Sequence, residues 1–92
     1  MKKELFERIL NEDFGNDTRT SVKIKFYGRD KDEVENIVEE VNETYNTVFN
    51  VYDLGKIISV ESSALITSVA LLEDILEEFL SRGANEIRFI KA

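Results

Sequence analysis

The chain contains no cysteine, histidine, proline or tryptophan, and only four glycines. Without cysteine there can be no disulfide, thiol nucleophile or thiolate metal site, a composition that fits a reducing compartment. Without histidine the commonest general base and metal ligand are missing, and phosphohistidine chemistry is excluded. Positive charge is also scarce. Twelve Lys and Arg face nineteen Asp and Glu, for a net charge of −7. A phosphate backbone is repelled overall, so nucleic-acid binding is not expected, and acidic membrane surfaces are disfavoured in the same way. A basic protein partner stays compatible with this balance. No stretch approaches the ~20 apolar residues a membrane span needs. Met1-Lys2-Lys3 is followed by Glu4 and not by an apolar run, so no signal peptide is expected. These features together predict a cytoplasmic protein. No Gly-rich phosphate loop occurs, and no carboxylate pair is set among apolar residues, so the expectation is a non-enzyme with no cofactor and no metal.

With 92 residues the chain makes a single domain with one modest core. Its first segment, residues 2–13, carries Leu5, Phe6, Ile9 and Leu10 at helical spacing and reads as a short amphipathic helix. A helix of this length must dock to be stable, on its own sheet or on a second copy. Residues 15–21 have no periodicity and read as a loop. Val22, Ile24 and Phe26 alternate with Lys23, Lys25 and Tyr27, the pattern of a strand with one face on a core, and Gly28 ends it. Asp30 with Glu33 resembles a capping box for a helix from about Lys31 to Tyr45. Its stripe is Val34, Ile37, Val38, Val41 and Tyr45, and Glu35, Glu39, Glu40 and Glu43 form an acidic outer face.

Thr47 to Leu54 reads as a second strand. The near-continuous apolar run Val48, Phe49, Val51 and Tyr52 suggests a central position. Ile57, Ile58 and Val60 form either a short third strand or a buried connector. A long helix is expected over Ser63 to Ser81, with Leu65, Ile66, Val69, Leu72, Ile75, Leu76, Phe79 and Leu80 apolar. Arg82 suits the negative end of its dipole and Gly83 its C-cap. Glu86 to Lys91 alternates as the last strand.

The expected class is α/β, with α+β the alternative. It is a three- to four-stranded sheet with two long helices on one face and a short N-terminal helix. Residues 1–20 form the N-terminal helix and loop, and residues 21–92 the single α/β domain. The opposite sheet face would carry Lys23, Lys25, Tyr27 and Arg88, only a loose likeness to a nucleic-acid platform.

The stretch from Asp53 to Leu65 offers the clearest chemistry. Ser62 and Ser63 stand where an apolar strand meets the long helix. A serine there caps free backbone amides, and the same amides and dipole favour a phosphate. On the residues alone, Ser62 and Ser63 are either N-cap residues or phosphoacceptors.

This stretch resembles the signature of STAS domains, the sulfate-transporter and anti-sigma-factor-antagonist family. Asp53-Leu54 holds the place of the pair that ends a buried strand, and Ile57 and Val60 hold the two apolar places. Glu61-Ser62-Ser63-Ala64-Leu65 holds that of the family's Asp-Ser-Ser-Gly-Leu run. The resemblance covers residues 22–91, with Glu61 for Asp and Ala64 for Gly. It implies a shortened STAS-like domain with a parallel strand-helix-strand unit and a regulatory serine phosphorylated at Ser63, with Ser62 beside it. Asp53, Glu61 and Ala64 would then meet the protein partner, a regulator or a kinase.

A second resemblance, over Val22 to Ser62, is to the HPr-like phosphocarrier family. It implies an antiparallel hairpin at Asp53 to Ile57 and a regulatory Ser62, but the carrier histidine is absent, with Lys31 lying near its place. The expected function is a regulatory protein-interaction domain switched by serine phosphorylation. The alternatives are an HPr-like regulatory domain and a ferredoxin-like structural module that forms a homodimer through the N-terminal helix.

Overall fold

The structure is a computed structural model that describes residues 20–62 and 69–91. The N-terminal helix expected over residues 2–13, Ser63 and Ala64 lie outside the described residues. The elements run β1 (Thr20–Tyr27), α1 (Lys31–Tyr45), β2 (Phe49–Asp53), β3 (Ile57–Ser62), α2 (Val69–Ser81) and β4 (Glu86–Lys91).

The period-two pattern of β1 buries Val22, Ile24 and Phe26 and leaves Lys23, Lys25 and Tyr27 on the opposite face. Gly28, at φ 65°, then turns the chain out of the strand, a conformation that costs glycine little. In α1 the buried residues are Val34, Ile37, Val38 and Val41, one stripe at helical spacing. Asp30 is the N-cap residue but makes no side-chain cap bond. The expected capping box is therefore not formed, because Glu33 reaches back to the guanidinium of Arg29. At the other end Asn46 adopts the left-handed conformation and its N–H donates to the Asn42 carbonyl, which stops the helix. In α2 the core stripe is Leu72, Ile75, Leu76 and Phe79. This helix ends in a Schellman motif, with Ala84 N–H donating to Phe79 O and Gly83 N–H to Leu80 O.

The four strands form one sheet in the order β2-β3-β1-β4, and every pairing is antiparallel. This is the split β-α-β connectivity, also called ferredoxin-like. Both helices bury their stripes against the Val22–Ile24–Phe26 side of the sheet. Phe79 of α2 packs edge-on to Phe26 and Phe49, at ring-centroid distances of 6.3 and 5.3 Å. Arg82, just past α2, pairs with Glu78 of its own helix and Glu40 of α1, tying the two helices at their outer surface.

Two expectations about the strands change places. The segment read as strand or connector is β3, paired on both sides and therefore central. Val60 is 0% exposed there. The segment read as central is β2, which lies at the sheet edge. Of its apolar run only Phe49 is buried; Tyr52 is 46% exposed, and the flanking Val48 and Leu54 are 58% and 65% exposed. Apolar content marked a strand, but burial depends on what lies across from it. The parallel unit implied by the STAS resemblance would need β1 beside β2, and β3 stands between them. The Asp53–Ile57 segment does turn as an antiparallel hairpin, with Leu54 N–H donating to Ile57 O at 2.9 Å. Such hairpins occur in many folds and do not assign a family.

Candidate functional site

The residues singled out from the sequence are spread over the sheet. Asp53 ends β2, where its Oδ1 accepts a hydrogen bond from Gly55 N–H at 2.9 Å. This is an Asx-type turn contact that shapes the hairpin. Glu61 lies near the far end of β3, about three residues, or ~10 Å, along the ladder from the Asp53–Ile58 pair. Its carboxylate accepts from Ser59 Oγ at 3.1 Å and lies 3.9 Å from Lys23 Nζ. Ser62 is the last residue of β3, half-buried, and faces Phe49 in the register. Because side chains alternate along a strand, Ser62 shares the helix-side face with Val60, while Glu61 belongs to the open face. Asp53, Glu61 and Ser62 are thus not assembled into one site.

The open face carries the cations noted in the sequence, and each has a carboxylate. Lys23 pairs with Glu61, Lys25 with Glu86 at 3.8 Å, and Arg88 with Glu86 at 2.9 Å. Tyr27 Oη also donates to Glu86. That bond raises the phenol above its ordinary pKa, helped by partial burial and the Glu86 charge. The same bond, with the Arg88 bond, holds the Glu86 carboxyl below its ordinary pKa. The three cations share two carboxylates, so most of the charge on this face is offset within it.

A different surface is shallowly concave and joins apolar and acidic residues. Between α1 and the free edge of β2 runs a groove of about 600 Å³. One wall is the α1 face with Glu35, Glu39 and Glu43; Val38, Phe49 and Val51 supply its apolar lining. Asn42 sits at its centre and makes three side-chain contacts. Its Oδ1 accepts from Phe49 N–H at 2.9 Å and from Thr47 Oγ1 at 3.1 Å, and its Nδ2 donates to Phe49 O at 3.2 Å. The carboxamide therefore satisfies both edge groups of Phe49, as the peptide group of a neighbouring strand would. In an antiparallel ladder the backbone groups of residues two apart point to the same edge. The N–H and C=O of Val51 accordingly face the groove as well. Glu35 is paired with Lys31 at 3.6 Å, while Glu39 and Glu43 have no ion-pair partner among the described residues.

Sequence reasoning assigned the Glu row to a solvated face and passed over Asn42 altogether. The asparagines at 42, 46 and 50 recur at a spacing of four across the end of α1 and the start of β2. That recurrence was the one available signal, and its meaning depends on the loop that folds β2 back beside the helix. Among the described residues no group of three or more acidic side chains is placed to hold a metal ion, and no helix is long and apolar enough to cross a membrane.

No family model, no curated protein and no solved structure matches the chain.

Proposed function

We propose that this chain is a non-enzymatic regulatory module that binds another protein through the groove between α1 and the β2 edge. The observation that carries this reading is the groove itself. It joins an apolar lining of Val38, Phe49 and Val51 to a rim of carboxylates and to strand-edge backbone. That combination suits a polypeptide, which offers side chains and hydrogen-bonding backbone together. The serine switch joins the same surface. Ser62 is the register partner of Phe49, so a phosphate on Ser62 would add roughly −1.5 to −2 charges beside one end of the groove. In this reading a serine kinase tunes the affinity for a basic partner.

The test uses the tagged full chain and a Glu39→Arg/Glu43→Arg variant as baits in lysate of the source cell. Both substitutions are on an exposed helix face and should leave the fold intact, which circular dichroism checks. A protein retained by the wild type, lost with the variant, and reproducing that difference when purified is the expected result. Partners that bind both baits equally would overturn the groove as the binding surface.

A further inference from the structure

The groove has a length scale that an extended segment can match. Glu35, Glu39 and Glu43 stand four residues apart on α1, which spaces them by about 6 Å along the helix. Alternate residues of an extended strand repeat every ~6.7 Å. A strand lying beside β2 would therefore set every second side chain opposite successive carboxylates. The backbone is prepared in the same way. Phe49 N–H and C=O are held by the Asn42 side chain, and two residues on Val51 presents the next pair of edge groups toward the groove. Charge agrees with shape, since Glu39 and Glu43 are exposed and without cationic partners among the described residues.

From these observations, and resting on the protein-binding reading above, we infer that the groove takes an extended basic segment of a partner protein. The segment adds as a fifth strand to the β2 edge. Its backbone pairs with Val51, and its Lys or Arg at every second position meets Glu35, Glu39 and Glu43. An extended acidic segment is rejected by the same carboxylates. A basic helix matches the carboxylate spacing equally well but leaves the Val51 edge groups unpaired, because its own backbone groups are already bonded to one another.

The probe is a short synthetic peptide that alternates Lys with Val, titrated by fluorescence anisotropy into the full-length chain. The comparisons are a Glu-Val peptide and a Lys-Val peptide N-methylated at alternate residues along one edge. The expected result is saturable binding of the Lys-Val peptide alone, with amide shifts and exchange protection centred on Val51. Affinity should fall about 3- to 10-fold in a Glu39→Gln/Glu43→Gln variant, the size expected for two partly exposed ion pairs, and fall further with added salt. These substitutions on the exposed face should leave the melting temperature unchanged. A Val51→Pro variant removes one edge N–H without touching the carboxylates; at an edge position proline is tolerated, and it should also weaken the peptide.

Equal binding of the N-methylated peptide, shifts that map away from β2, or unchanged affinity in the Gln variant would each overturn strand addition. Failure of every peptide while the Arg variant still loses a natural partner would leave the groove as the binding surface and remove only the extended basic segment.

Discussion

Replacing Asn42 with alanine tests whether its carboxamide closes the β2 edge at Phe49. The substitution removes three hydrogen bonds, two to the backbone of Phe49 and one to Thr47. Each is a neutral bond of net value about 1 kcal/mol. The site is only part-buried, so water replaces some of what is lost, and the Thr47 hydroxyl can turn toward solvent. Alanine is also a better helix former than asparagine by about 0.5 kcal/mol, which offsets part of the loss. The Thr47 N–H bond to the Asn42 carbonyl is backbone and survives the change. The net expectation is a loss of about 1–2.5 kcal/mol, or a fall in melting temperature of roughly 5–15 °C for a domain of this size. Urea unfolding measures it, with an unchanged m-value showing that the unfolded state is not altered. Hydrogen exchange at the Phe49 amide should accelerate more than at β1 amides. A loss below about 0.5 kcal/mol, or unchanged exchange at Phe49, would refute the view that Asn42 stands in for a strand.

Phe79 is fully buried against Phe26 and Phe49; Phe79→Ala should cost about 3–5 kcal/mol, read by chemical denaturation, while Phe79→Leu should cost far less. Gly83 sits at φ 104°, and an added Cβ would lie 1.9 Å from Arg29 Nη2. The guanidinium is the far end of a flexible side chain and can swing away, so backbone strain of about 1–2 kcal/mol should dominate in Gly83→Ala, and adding Arg29→Ala should recover little of it in a double-mutant cycle. Tyr27→Phe removes the hydrogen bond that does most to hold Glu86 below its ordinary pKa. The Glu86 carboxyl, followed by NMR, should then titrate higher. In the wild type the folded pKa is the lower one, so Glu86 contributes stability above its ordinary pKa of 4.5 and loses it as pH falls through the folded value. The variant should show less of that acid-side loss; an unmoved Glu86 titration would contradict the assignment.

Much of the secondary structure could be read from periodicity, because burying one face imprints a period of two or of 3.6 on the residues that share it. Val22-Ile24-Phe26 and the stripe from Val34 to Val41 are both in the structure as the pattern implies. Glu86–Lys91 is the last strand, and two helices on one face of a sheet follow from the same patterns, which leave the fourth strand, Ile57–Ser62, open between strand and connector. The capping box failed for a local reason that composition does not show: Arg29 draws Glu33 away. The exchange of roles between β2 and β3 has a non-local cause. Ile57–Ser62 is short and contains polar residues, yet pairs on both sides, and Ser59 is 2% exposed within it. Strand order is set by which pairings bury the most surface together, and a single strand does not carry that information.

By itself the sequence determined the acidic charge balance, the absence of thiol and imidazole chemistry, the faces of β1 and of both helices, and the adjacent pair Ser62 and Ser63. Each depends on residue identity or on neighbours a few positions away. Only the tertiary structure decided that β3 enters between β1 and β2, that Glu61 and Ser62 face opposite sides of the sheet, and that Lys23, Lys25 and Arg88 are paired with Glu61 and Glu86. It also made the groove, by folding β2 back along α1 until Asn42 met the backbone of Phe49. Contacts between segments depend on where the whole chain places them, and the groove exists only once that placement is made.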